Sequence, residues 1–377
     1  MSDEPRLPTR PLAWSLFGII SAANIRLIAQ LAILRLIHIK YCATTRNMLA
    51  LNGYYRWQLT TFSPGCIMTN QQRLMLIVPP LLDKTPAFER ATALAKAKGA
   101  ALHIVAFDYL EGLATAGLVN ERALEEMRYS YVERHRQWLE EQAHPLRHLG
   151  IEVTTEVVWA EHPLKEMLTY LHEMPVDLVI KDLQHESLLK RAVFTTLDLQ
   201  LLHECPYPLH FVAKSHNPTP RRIVAAVDLL HPDDQYSGFN DTIIHEALKL
   251  GIQCNAQVDV VYAYDLSMID AADYSYASAS MMFDSNLTPT TPTLYELENV
   301  AFDTLAERNG VPVENRHFML GSPSKVLARF AESQDIDVIV MGRIHHRSLG
   351  HLLGSTAERI LYKMPGSVLI LNPDSSV

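Results

Sequence analysis

Val176-Asp-Leu-Val-Ile and Ile336-Asp-Val-Ile-Val are the same phrase written twice, and that repetition decides the fold. Pro163-Leu-Lys-Glu-Met-Leu precedes the first copy as Pro323-Ser-Lys-Val-Leu precedes the second. Gly150-Ile-Glu-Val stands to Gly310-Val-Pro-Val in the same way. Self-similarity at one offset, about 160 residues here, is the mark of a repeated unit. The halves run over 73–214 and 220–373, with Ser215-His-Asn-Pro-Thr-Pro as a polar, proline-containing linker.

Within each half, short apolar runs alternate with helical patterns. Leu74–Pro79 reads as a strand. Thr85-Pro86 then caps and opens a helix whose Phe88, Ala91 and Ala95 share a face until Gly99 ends it. Leu102–Phe107, the alternating Ile151–Trp159, Val176–Lys181 and Leu209–Ala213 read as further strands. In the second half the strands read as Ile223–Asp228, Val258–Ala263, Val313–Met319, Ile336–Met341 and Val368–Leu371. Strands alternating with helices predict an α/β protein of two tandem doubly wound domains, each a five-stranded parallel sheet flanked by helices. Ligands in such folds sit beyond the carboxyl ends of the strands.

The 377 residues are 48% hydrophobic and 20% charged, a globular balance. Net charge of −9 argues against a general nucleic-acid binder. Cys42, Cys66, Cys205 and Cys254 form no C-x-x-C pair, so a zinc ribbon, a disulfide scaffold and a thioredoxin-type site are disfavoured and a reducing cytoplasm fits. Charge is uneven: residues 1–67 carry +5 and the remainder −14. Residues 1–67 therefore read as an extension outside the folded unit, non-native or disordered, with Met68 as the working start. A membrane anchor and a regulatory tail are the alternatives. The apolar stretch Pro11–Ile25 is shorter than the ~20 residues of a spanning helix.

The chemistry-bearing stretch is Met341-Gly-Arg-Ile-His-His-Arg-Ser-Leu-Gly-His-Leu-Leu-Gly-Ser-Thr-Ala-Glu-Arg. Gly342 ends a buried strand, where a missing Cβ lets backbone approach a phosphate. Gly354-Ser355-Thr356 opens a helix whose free N–H groups favour an anion. The same pattern also describes an ordinary loop-to-helix junction. Neither the P-loop nor the dinucleotide G-x-G-x-x-G pattern occurs.

These residues resemble the universal stress proteins, and among them the tandem, E-type members. That family's G-x2-G-x9-G-[ST] signature is matched by Gly342 and Gly354-Ser355, while His345 stands at the second glycine with eight residues between it and Gly354. The resemblance implies an adenine nucleotide alpha hydrolase-like fold and a second-half site for ATP or another adenine nucleotide. Asp228 would hold the nucleoside and the backbone near Tyr262-Ala263 the base; Met341, Gly342, His345, Gly354, Ser355 and Thr356 would surround the phosphates. Magnesium is expected only as the nucleotide brings it. In the first half, Asp182 and Thr195 replace the glycines and Pro79-Pro80 the aspartate, and Asp182 is expected to put negative charge near the phosphate position.

Other features have plainer readings. His345, His346 and His351 lack the spacing of a metal site. His135, His144 and His148 are expected on the solvated face of a long helix, Asp270–Pro292 as a long loop, and Cys205 and Cys254 as small core or boundary residues. The function that follows is a cytoplasmic stress-response module that binds a small-molecule ligand and is not an enzyme, at most hydrolysing ATP very slowly. A first half holding an apolar or lipid-like ligand is the alternative. An adenylating or ATP-pyrophosphatase activity is less favoured, because neither S-G-G-x-D-S nor H-I-G-H follows a first strand. Leu209–Val212 and Val368–Leu371 are expected to pair, giving an internal pseudo-dimer, with a homodimer also open. No nucleic-acid or membrane partner is expected.

Overall fold

The computed structural model describes residues 50–51, 54–55, 71–79, 82–108, 121–184, 196–213, 217–229, 238–265, 294–343, 356–363 and 365–373. Residues 1–56 form a unit of their own. Its described part is an antiparallel pair, β1 (Ala50–Leu51) with β2 (Tyr54–Tyr55). The expectations placed on the rest of residues 1–67 lie outside the described residues.

The remaining unit is the repeat. Its first half contains β3 (Arg73–Val78), α1 (Pro86–Lys98), β4 (Ala101–Asp108), α2 (Glu121–His148), β5 (Val153–Trp159), α3 (Pro163–Glu173), β6 (Leu178–Asp182), α4 (Leu197–Glu204) and β7 (Leu209–Val212). The second contains β8 (Arg222–Val227), α5 (Phe239–Cys254), β9 (Gln257–Tyr264), α6 (Leu294–Arg308), β10 (Arg316–Leu320), α7 (Pro323–Ser333), β11 (Val338–Gly342), α8 (Thr356–Leu361) and β12 (Ser367–Leu371). Each half is a parallel five-stranded sheet, and the two join into one ten-stranded sheet of order β10-β9-β8-β11-β12-β7-β6-β3-β4-β5. The join is the one antiparallel pairing of this sheet among the described residues, with Val368 opposite Phe211, Leu369 opposite His210 and Ile370 opposite Leu209.

Local chemistry sets the elements. Thr85 accepts the Phe88 N–H at the start of α1, and Gly99 closes that helix at φ 61°, a left-handed position that glycine adopts without strain. An aspartate entering each fourth strand ties it to the first: Arg73 N–H donates to Asp177 Oδ2 at 2.7 Å, and Arg221 N–H to Asp337 Oδ2 at 2.7 Å. The sheet is covered on both faces. Leu76, Ile104, Leu139, Ile243 and Phe302 belong to one apolar layer, Met75, Val105, Leu171, Phe330 and Ile360 to the other, and each layer runs through both halves.

Two expectations are corrected. Val313–Asn315 is a turn of 3-10 helix behind Pro312, so the strand expected from Val313 begins at Arg316, whose guanidinium holds the Val311 carbonyl at 2.8–2.9 Å. His135 is buried, not solvated, because its ring takes both the Tyr131 carbonyl (2.9 Å) and Asp108 Oδ2 (3.2 Å). His144 and His148 are exposed as expected, Cys205 is buried and Cys254 half-buried. No helix among the described residues is long and apolar enough to cross a membrane.

Candidate ligand site at the strand ends

In the second half the carboxyl ends of β8, β9 and β11 bring together Asp228, Ala263, Met341 and Gly342, and Thr356 is the first residue of α8. His345, Gly354 and Ser355 lie outside the described residues, as do His346, His351 and Asp270–Pro292. Asp228 is held by a side chain that sequence reasoning missed. Its N–H donates to Asn240 Oδ1 at 3.1 Å, and Asn240 Nδ2 donates back to its carbonyl at 2.6 Å. Asn240 is the second residue of α5, so this clasp fixes the first strand's end against the helix that follows.

Gly342 has a packing reason for lacking a side chain. A Cβ there would lie 2.4 Å from Phe239 Cε1 and 3.2 Å from Ile243 Cδ1. Even alanine at 342 would push into α5, and the strand end stays close to that helix only because the position is bare. Nearby, Tyr262 donates a short hydrogen bond to Glu298, and burial, then that bond, drive the phenol well above its ordinary range.

The first half fills the matching positions with charge. Counting along the paired elements, Lys181 corresponds to Met341 and Asp182 to Gly342, while Asp198, second residue of α4, corresponds to Ala357 of α8. Lys181 Nζ donates to Asp198 Oδ1 at 2.8 Å, with side chains 6% and 0% exposed. Asp198 Oδ2 accepts the Gln184 N–H at 2.8 Å. A backbone N–H just past the fourth strand, a group that would welcome a ligand anion, is thus occupied by the protein's own carboxylate, and the Leu199 N–H of the next helix's first turn is taken by Thr196 Oγ1.

Asp182 ends β6 beside Lys181 and lines the same cavity, and its Oδ1 accepts the Ala87 N–H at 2.9 Å at the start of α1. Burial raises its pKa, partly offset by hydrogen bonds from Thr85 and Ala87. Asp198 closes the stretch that begins at Lys181, but nothing in its spacing says which carboxylate turns inward. Beside the pair lies a cavity of about 270 Å³, lined by Ile77, Val78, Phe107, Met167, Lys181 and Asp182 among others.

The residues past β11 also tie the halves together. Arg343 Nη1 donates to the carbonyls of Leu202 (2.7 Å) and Cys205 (3.0 Å), and Asn372 Nδ2 to Cys205 O (3.1 Å). Thr196 Oγ1 meets Tyr362 Oη at 2.7 Å. Arg343 therefore works on the end of α4 in the other half.

A doubled parallel α/β unit with a cavity at the strand ends of its first half defines the class, and sequence comparison agrees. The chain belongs to the universal stress protein family, which matches residues 73–213 and 220–372. It is related to universal stress protein E of Escherichia coli K12, 24% identical over 316 residues that cover 81% of this chain and 96% of the relative. The universal stress protein E homolog of Haemophilus influenzae is likewise 24% identical, over 80% of this chain and 97% of its own. Among solved structures, a universal stress protein of Archaeoglobus fulgidus superposes with a TM-score of 0.54 at 15% identity, covering 80% of this chain and 97% of that one. A functionally unknown protein of Pseudomonas aeruginosa PAO1 gives 0.59 at 22% identity, covering 81% and 93%. These likenesses show the adenine nucleotide alpha hydrolase-like fold.

Proposed function

We propose that the chain is a cytoplasmic stress-response binding module that takes ATP or another adenine nucleotide in its second half, with Asp228 on the nucleoside and the β11–α8 connection on the phosphates. The observation that carries this reading is the difference at equivalent positions. Lys181 and Asp198 form a buried ion pair in the first half, whereas the second has Met341 and Ala357 there, beside Gly342 and Asp228. The first-half pair fills this space and already takes the Gln184 N–H, so a phosphate there would have to displace Asp198, which Met341 and Ala357 do not require in the second half. The module binds without dedicated turnover, at most hydrolysing ATP very slowly. Magnesium would arrive with the nucleotide.

Calorimetric titration of the full chain with MgATP tests it. Binding in the parent, abolished by Gly354→Val and by Asp228→Ala in folded proteins, is the expected result. No binding in the parent would favour the second reading, which the apolar walls of the first-half cavity support: a module for an apolar ligand there.

A further inference from the structure

The two halves meet at β7 and β12, and a histidine lies in that seam. His210 stands opposite Leu369 across the antiparallel pairing and beside Ile180 of β6. It is 1% exposed, and neither ring nitrogen makes a well-formed hydrogen bond among the described residues. Burying a polar ring without partners costs stability in its neutral form and far more once charged.

The charges around it make that worse. Both side chains acting on the imidazole are cations from α1, Arg90 and Lys98, and only a weak contact with the Val368 backbone opposes them. Burial and these two cations hold His210 well below its ordinary pKa. The surrounding carboxylates are engaged with those cations or with backbone. Asp337 acts on Arg90, Glu246 and Asp177 on Lys98, and Lys249 and Cys254 also lie in the field of Lys98. Arg90, 0% exposed, donates Nη2 to the Asn217 carbonyl at 2.9 Å, and Asn217 Nδ2 donates to Asp337 Oδ1 at 3.0 Å. A chain of part-buried bonds thus runs from the first half through the linker to the second and keeps Arg90 against the seam.

We propose that the join between the halves is an acid-sensitive latch: the closed seam excludes a proton from His210, and opening the β7–β12 pairing admits one. The sign follows from linkage. A histidine whose pKa is depressed in the closed form leaves the seam unaffected above its open-state value of ~6.5, and stability is lost as pH falls below that. One proton taken up per opening makes the opening constant rise about tenfold between pH 7.5 and 5.5.

Hydrogen exchange of the full chain tests this, comparing amides of 209–212 and 367–371 with those of β4 and β9, far from the seam. Corrected for intrinsic rates, seam amides should lose about tenfold in protection between pH 7.5 and 5.5, with the control strands losing less. His210→Leu should flatten the seam's pH response, and His210→Gln, neutral at both pH values, provides the same test should the leucine variant fail to fold. Equal pH responses in parent and variants would overturn the proposal. So would an imidazole resonance of His210 titrating near 6.5 in the closed protein.

Discussion

The two halves share one backbone plan and differ in what fills it. At the strand ends, the first half holds Lys181, Asp182 and Asp198 where the second holds Met341, Gly342 and Ala357. Deeper in the sheet the contrast returns with the signs exchanged. In the first half His103 of β4 donates through Nε2 to the Tyr170 hydroxyl (2.7 Å), which donates to Glu156 of β5 (2.6 Å). In the second, the acid is Asp259 of β9 and the base is His317 of β10, 3.2 Å apart, with Phe330 in the place of Tyr170. A duplicated scaffold can keep its register while each copy satisfies its buried polar groups differently. The copy that satisfies them internally leaves less for a ligand to do.

The largest effect is expected from breaking the first half's ion pair. Lys181→Met strands the buried Asp198 carboxylate and should cost about 3–5 kcal/mol in urea unfolding, whereas Lys181→Met with Asp198→Ala, the second half's own residues, should cost far less. Next comes Gly342→Ala, which drives a methyl toward Phe239 and should cost about 1–3 kcal/mol by the same measurement. Of comparable or smaller size is Tyr170→Phe, which gives the first half the second half's residue but leaves His103 and Glu156 unbridged, at about 1–3 kcal/mol. Smallest is His317→Gln, about 1 kcal/mol or less, because that imidazole is 30% exposed and the amide can still donate to Asp259. If Tyr170→Phe and His317→Gln cost the same, the buried Tyr170 bridge contributes no more than the part-exposed His317–Asp259 contact.

The fold was legible in the sequence wherever it rests on repetition. The pairs Asp177/Asp337 and Pro163/Pro323 repeat because each fourth strand must be tied to its first and each preceding helix opened in the same way. Charge at the strand ends was legible only as composition. Asp182 and Asp198 are both acidic and both near the same turn, and only the fold shows that one reaches α1 while the other meets Lys181. Gly342 invited a ligand-centred reading because a missing side chain looks the same whether backbone, phosphate or a phenylalanine ring occupies the space. His135 was misplaced on its residue type although it lies four residues from both Tyr131 and the buried Leu139 on one helix face, and the Asp108 that receives it lies on a strand 27 residues earlier.

Methyl NMR of the full chain labelled at methionine, titrated with MgATP, addresses the asymmetry most directly. Met341 lies at the second half's strand end and Met167 lines the first half's cavity. The account predicts a saturable shift of the Met341 methyl, an unmoved Met167, and loss of the response in Gly354→Val. A saturable shift of Met167 with Met341 unmoved would contradict it.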